Sequence, residues 1–274
     1  ALCVRCGVRK IRVTGGEPLV RRGLPELVSR LRALPGIETV GMTTNGMLLA
    51  RYAEELCSEG LDAVNVSLDT LREDRFLRIT RRRGVAEVLR GIEAALQSGI
   101  PRIKVNTVVI RGVNDDEVMD FVDFVRLRPL QLRFIEYMPF ASNAWSADAL
   151  LPSAELRARI AAQLPLEAAV EEDGNAVAEC YHVAGHRGSI GFISSMSDHF
   201  CQRCNRIRLT ADGAFKSCLF SEGEVDMRAL LRGGADDARI VAALREGLEM
   251  KWEAHPAARE LPLLDNRSMI RIGG

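Results

Sequence analysis

The sequence is short of net charge, of long hydrophobic runs and of repetition, and each shortage removes a class of function. Its 37 Lys and Arg balance 37 Asp and Glu. No general positive field is available for nonspecific nucleic-acid binding, so no nucleic-acid partner is expected and any anion site must be built locally. No run approaches the ~20 apolar residues needed to span a bilayer, and the start carries no pattern of basic head, apolar stretch and small-residue cleavage site. A cytoplasmic protein with no membrane partner is therefore expected. Low-complexity segments are missing, and no internal repeat exists beyond a βα unit. The chain opens without methionine, on "ALCVRCGVRK", which reads as the last turns of a helix entering a strand, so a fragment of a longer protein is expected.

At 274 residues the chain can bury a sizeable core without disulfide staples. Its seven cysteines are an odd number with no secretory pattern, which favours metal-binding thiolates over a disulfide framework. From residue 9 to about 137, short β-branched runs at 10–14, 38–44, 62–68, 103–110 and 131–138 alternate with helical segments such as "LPELVSRLRAL" and "VAEVLRGIEAALQSG". Continuous apolar character suits strands covered on both faces, and βα alternation implies a parallel sheet. Five such units predict a partial (β/α) barrel, with functional groups at the C-terminal strand ends. Those ends read Gly15-Gly16-Glu17-Pro18, Thr43-Thr44-Asn45-Gly46, Ser67-Leu68-Asp69, Arg111-Gly112-Val113-Asn114 and Glu136-Tyr137-Met138. Near residue 145 the pattern changes. A helix at about 153–163 precedes short antiparallel-looking strands around 177–183, 188–194, 206–210 and 214–217, then helices near 225–231 and 236–250.

Cys201, Cys204 and Cys218 are spaced C-x2-C-x13-C. Two thiolates at x2 spacing can share a metal centre from one tight turn, and a third returning from a hairpin can close the site. With His199 as a fourth ligand the ion would be zinc; with three thiolates alone, an iron-sulfur cubane keeps one iron free for substrate. Cys3 and Cys6 fall on a helix end without a third ligand and read as core residues, as do Cys57 and Cys180. His182, His186 and His255 read as ordinary core or surface histidines.

Arg206 and Arg208 alternate after Cys204, so on a strand they share a face, where two guanidiniums suit a bidentate grip on phosphate or carboxylate. Lys10, Arg12, Lys104 and Arg133 lie inside strands. A cation in a buried parallel strand is costly unless it points into a polar cavity with an anionic partner, so a polyanionic ligand inside the barrel is the economical reading. The run Arg81-Arg82-Arg83 precedes a helix and reads as solvated. Gly15-Gly16 lets a ligand approach the backbone, and Glu17 offers a carboxylate to an amine.

Taken together, "KIRVTGGEPLVRR", "TTNG", "VNVSLDT", "RFLRITRRRG", "FIEYMPF", "GSIGFISSMSDHFCQRCNRIRLTADG" and the terminal "IGG" closely resemble the GTP 3′,8-cyclase family of molybdenum cofactor biosynthesis, whose members are radical S-adenosylmethionine (SAM) enzymes. The likeness runs from about residue 8 to the last residue. It implies an α/β fold, an incomplete (β/α)6 TIM-like barrel (residues 1–145) with a C-terminal α+β extension (146–274) capping the open side. In that family three cysteines hold a 4Fe-4S cluster whose uncoordinated iron faces the nucleotide, which here implies Cys201, Cys204 and Cys218 as ligands. Arg206, Ile207 and Arg208, with Arg12, Thr43 and Lys104, fall on GTP positions, and Lys10 and Arg133 add cationic contacts. Gly16, Ser67 and Met138 fall on SAM positions, with Glu17 and Asn45 as further transfers. Gly273 and Gly274 match a double-glycine tail that reaches the active site.

The resemblance also implies the chemistry: a SAM-derived radical removes the ribose C3′ hydrogen of GTP, the carbon radical attacks guanine C8, and reduction yields the 3′,8-cyclised triphosphate. It implies an electron donor, a downstream pyranopterin-forming enzyme and, by analogy, a homodimer. In one respect the sequence departs from the pattern. The family's radical-generating motif, C-x3-C-x2-C upstream of "GGEP", has no counterpart before Lys10, because Cys3-x2-Cys6 has other spacing and a helical context. The second, N-terminal 4Fe-4S cluster is therefore expected in the complete protein only, and the chain as written is expected to lack cyclase activity. A relative that binds nucleotide without cleaving SAM, and a zinc module, are the competing readings.

Overall fold

The computed structural model describes residues 2–140, 143–169, 177–261 and 267–272. A short helix α1 (Leu2–Arg5) leads into β1 (Lys10–Val13), and strands β2 (Thr39–Thr44), β3 (Ala63–Ser67), β4 (Arg102–Val109) and β5 (Gln131–Glu136) follow side by side in one parallel sheet. The crossovers are helical: α2 (Leu24–Arg32), α3 (Leu49–Ser58), the pair α4 (Glu73–Thr80) and α5 (Val85–Ser98), then α6 (Val118–Phe124).

After α7 (Ser153–Ala161) come β6 (Leu166–Ala169), β7 (Glu179–Val183) and β8 (Ser189–Ile193). The whole sheet has the order β1-β2-β3-β4-β5-β8-β7-β6, so β1 and β6 are its edges and the strands do not close into a ring. This is the α/β architecture the sequence implied, mostly parallel and consistent with an incomplete TIM-like barrel. The segments at 177–183 and 188–194 do pair antiparallel with each other, but they extend the main sheet, and β8 lies parallel to β5.

In the inner strands β2, β3, β4, β5 and β8, alternate residues face the helices and are buried, among them Val40 and Met42, Val64 and Val66, Val105 and Val109, Leu132 and Phe134, Ile190 and Phe192. Against them pack Leu49, Ala53 and Leu56 of α3 and Val88, Ile92 and Ala95 of α5, apolar positions three or four residues apart. The turn into α3 needs Gly46, whose φ is +79° and where a Cβ would stand 2.8 Å from Val66 and 2.9 Å from Val88.

A second, three-stranded antiparallel sheet is formed by β9 (Arg208–Leu209), β10 (Ala214–Lys216) and β11 (Val225–Asp226). Helices α8 (Met227–Arg232) and α9 (Asp237–Glu249) back it through Phe215, Met227, Ile240, Ala243 and Leu244. A last turn, α10 (Met269–Ile272), lies in the tail. No helix among the described residues is long and apolar enough to cross a membrane.

Candidate functional site

Parallel register decides which side chains of the concave face are neighbours, because residues paired across a sheet point the same way. One row runs Arg12, Gly41, Ala63, Arg102. The next runs Thr43, Asn65, Lys104, Gln131, Ser189. A third runs Ser67, Asn106, Arg133, Gly191, Cys180. The strand-borne residues marked by the sequence, Arg12, Thr43, Ser67, Lys104 and Arg133, therefore share one face, and Lys10 joins them two residues before Arg12. Cys180, read as a packing residue, is buried at the end of the third row, where its sulfur accepts from Gln131 Nε2 at 3.1 Å.

The electrostatics of this face are one-sided. Arg12 is reached by solvent yet surrounded by protein, as a group in a groove is. Burial first, then the charges of Arg206 and Arg102, lower its pKa to about 10. Burial also lowers the pKa of Arg206, opposed by Cys204, and that of Arg208, where Arg206 adds to the lowering while Cys218 and Cys204 oppose it. Arg208 Nε is buried with no hydrogen-bond partner among the described residues. Every influence on Arg12 favours losing its charge, so an anion entering the groove would relieve both repulsion and desolvation. Two small residues, Gly41 and Ala63, separate Arg12 from Arg102 and keep the groove floor low; a Cβ on Gly41 would already meet the Arg12 guanidinium at 3.4 Å.

The cysteines lie on the small sheet's hairpin. Cys201–Arg203 forms a single 3₁₀ turn closed by the bond from Cys204 N to Cys201 O at 3.1 Å. Cys218 follows β10, which pairs with β9 through Lys216 and Arg208, and the fields of Cys204 and Cys218 both reach the Arg208 guanidinium. Lys251 Nζ clamps the intervening backbone, donating to Cys204 O at 2.6 Å and Arg206 O at 3.2 Å. Among the described residues no three His, Cys, Asp or Glu side chains gather as ligands of one ion, so a tetrahedral set with His199 is not assembled. His199 is exposed and lies edge-on to His255, with ring centroids 5.1 Å apart. Three soft thiolates, two from one turn and one from a hairpin, remain a donor set suited to a cubane, whose cysteines bind separate irons and need not crowd around a single ion.

At the rim, Gly15 takes φ +140° and a Cβ there would meet nothing within 4 Å, leaving the backbone of Gly15-Gly16 approachable. Glu17 is committed to structure: its carboxylate accepts from Leu19 N at 3.0 Å, Thr44 Oγ1 at 2.7 Å and Asn45 N at 2.7 Å. Asn45 in turn accepts from Met47 N at 2.9 Å. Ser67 is exposed on the cavity side. Met138 packs with Phe140, Phe220, Leu261 and Ile272 beside Cys218. Asp69, two residues beyond Ser67, accepts from Val108 N at 2.8 Å, and burial raises its pKa to about 6. Gly273 and Gly274 lie outside the described residues.

Sequence reasoning passed over Asn65, Asn106, Arg102, Lys251 and the anchoring role of Glu136. Strand alternation alone could have found the first three, since they fall two residues from marked positions. Glu136 is 2% exposed and accepts from Ser153 N, Met196 N and Ser197 N at 2.7, 2.7 and 2.8 Å, tying the end of β5 to the segment that leads to Cys201.

Comparison with known proteins divides the chain between two family models: the Radical SAM superfamily over residues 1–125 and Molybdenum Cofactor Synthesis C over residues 130–257. The chain is 42% identical over 273 residues to the mitochondrial GTP 3′,8-cyclase of Arabidopsis thaliana, spanning 100% of this chain and 70% of that protein. It is 44% identical to the GTP 3′,8-cyclase of Moorella thermoacetica (98% of this chain, 82% of the relative). To that of Pelotomaculum thermopropionicum it is 46% identical (98% and 82%).

Proposed function

Since the chain belongs to the GTP 3′,8-cyclase family, we propose that its concave face binds GTP for radical cyclisation at the first step of molybdenum cofactor synthesis, with the triphosphate gripped by Arg12, Lys104, Arg206 and Arg208. The observation that carries this reading is the convergence of Arg12, Arg102, Arg206 and Arg208 in one groove, with no carboxylate ion-paired to any of them among the described residues. Four guanidiniums brought together at such cost imply a polyanion. Lys10 and Arg133 stand on the same face and extend the positive lining, Thr43 offers a hydroxyl, and Ile207 lies between the two hairpin arginines.

Cys201, Cys204 and Cys218 would hold a 4Fe-4S cluster at the groove's hairpin side, against the purine end of the nucleotide. Gly16, Ser67 and Met138, at the C-terminal ends of three strands, would receive SAM, Met138 through apolar contact. Both Glu17 oxygens are engaged, by Leu19 N in its own turn and by Thr44 and Asn45 at the end of β2, so that residue and Asn45 would act by shaping the backbone of Gly15-Gly16. When bound, the reduced clusters and SAM supply the hydrogen-abstracting radical and the reducing equivalents. The protein's share is positional: the arginines and lysines fix the triphosphate so that ribose C3′ faces the radical source. Residues 1–274 contain no C-x3-C-x2-C spacing, so these residues by themselves would bind GTP without cleaving SAM.

The test is anaerobic reconstitution of this chain beside one extended upstream with a C-x3-C-x2-C loop. Expected are a brown protein with roughly three to four irons in the 274-residue chain, GTP binding in both, and 5′-deoxyadenosine with cyclised nucleotide only in the extended one. A colourless protein holding one zinc, or absence of GTP affinity, would overturn the reading.

A further inference from the structure

Lys251 follows the last turn of α9, where its own N–H still reaches Leu248 O at 3.0 Å. The helix gives it a fixed base. Asp236 caps the N-terminus by accepting from Arg239 N at 2.8 Å, and Ile240, Ala243 and Leu244 pack with Phe215 of β10. Gly247 lies so close to that strand that a Cβ there would stand 2.7 Å from the Phe215 ring. From this base the half-buried ammonium donates to two backbone carbonyls, Cys204 O at 2.6 Å and Arg206 O at 3.2 Å. Residues 204–207 belong to no helix or strand, so Lys251 supplies a donor that the β9–β10 ladder does not. Among the described residues Lys251 makes no ion pair with a carboxylate, and its charge is left to those carbonyls.

Four residues on, His255 grips the other flank of the cysteine turn. A carbonyl can only accept, so the 3.1 Å contact between His255 Nε2 and Ser195 O is a bond donated by the ring. The ring also stands edge-on to Phe220 and His199, with centroids 5.3 and 5.1 Å away. The stretch 251–255 thus braces the chain on both sides of Cys201 and Cys204. Arg267 clasps the small sheet's other loops, donating to both oxygens of Asp212 at 2.9 and 2.8 Å and to Glu224 Oε2 at 2.5 Å. Lys251 acts on the path from Cys204 to Arg206, which that clasp does not touch.

We infer that Lys251 is a positioning residue: its ammonium fixes the backbone between Cys204 and Arg206, setting the spacing of cluster ligand and phosphate grip, and its charge beside Cys204 favours the reduced cluster. The inference rests on the proposed function but concerns a residue assigned to neither nucleotide nor cluster. A cluster gains negative charge on reduction, so a fixed cation bonded to the carbonyl of a ligand residue raises its potential. Methionine matches lysine in length and offers neither donor nor charge, whereas arginine keeps both.

The experiment compares the unmodified chain with Lys251→Met and Lys251→Arg. Amide hydrogen exchange over residues 204–208, measured on the metal-free chain, reads the brace. After anaerobic reconstitution, iron content, the cluster's reduction potential and GTP affinity read the site. Lys251→Met should speed exchange at 204–208 at least about tenfold, lower the potential, and weaken GTP binding about three- to tenfold. Lys251→Arg should recover most of each change. Unchanged exchange in Lys251→Met, an unchanged potential at full iron content, or an arginine variant no better than methionine would each overturn the inference; if Lys251→Met fails to fold, Lys251→Gln, a neutral donor, is judged by the same three criteria. Absence of iron or GTP binding in the unmodified chain would instead overturn the functional reading, since exchange is measured without ligand.

Discussion

Replacing Arg206 by alanine isolates the groove's proposed task. Arg206 lowers the Arg12 pKa through charge repulsion while the field of Cys204 opposes the lowering of its own by burial, and its guanidinium stands 5.5 Å from the Phe200 ring centroid. A charge-assisted hydrogen bond to phosphate contributes about 1.5–3 kcal/mol, and each 1.4 kcal/mol is a factor of ten. Arg206→Ala should therefore weaken GTP binding by roughly ten- to a hundredfold, toward the lower figure because removing one cation also eases the neighbours it repels. Isothermal titration under anaerobic conditions with GTP, GDP and guanosine separates the phosphate grip from base recognition, since guanosine affinity should change by less than about twofold. Arg82→Ala, in the exposed loop before α5, is the matched control and should leave all three affinities unaltered. Unchanged GTP affinity in Arg206→Ala, or an equal loss for guanosine, would refute the assignment of this arginine to the triphosphate.

Asp69 holds its proton more tightly folded than unfolded, with its pKa raised from 3.8 to about 6 by burial. Its stabilising contribution is complete below the unfolded value and is lost as pH rises through 6. Asp69→Asn, which can still accept from Val108 N, should raise stability to urea by about 1–3 kcal/mol at pH 7.5, with a gain that shrinks toward pH 4; equal gains at both pH values would contradict the argument. Glu136→Ala strands three backbone donors and should cost about 3–5 kcal/mol, with hydrogen exchange rising first in residues 195–204; a change confined to α7 would refute its role in holding the approach to the cysteines. Because the groove's arginines repel one another, polyanions should stabilise the fold: GTP at a hundred times its Kd should add about 2.7 kcal/mol, and inorganic tripolyphosphate should raise Tm while sodium chloride at equal ionic strength does not.

Much of this arrangement is legible in the sequence because a parallel strand offers a cation very few destinations. Lys104 and Arg133 lie in strands whose alternate residues are buried against helices, so only the concave face is left to them, and the register confirms that placement. The sheet's continuation beyond β5 was harder to read. A strand's period of two says which residues share a face but not which strand lies alongside, and β8 reaches β5 only because the β7–β8 hairpin reverses the chain once more.

The clasps were the least legible features, for a related reason. Glu17 bonds a residue 28 positions away, Glu136 one 60 positions away, and Arg267 one 55 positions away. None of these sits in a local pattern that marks it, and an acidic residue at a strand end looks the same whether it meets ligand or backbone. Glu17 shows the distinction well, because its local context of two glycines and a proline suggested an amine ligand, whereas its oxygens accept from Leu19 N in its own turn and from Thr44 and Asn45 at the end of β2. Geometry thus separates two kinds of polar residue that sequence merges. Those with their hydrogen bonds satisfied inside the protein build the groove, and the arginines that lower one another's pKa across it are the ones proposed to grip an anion.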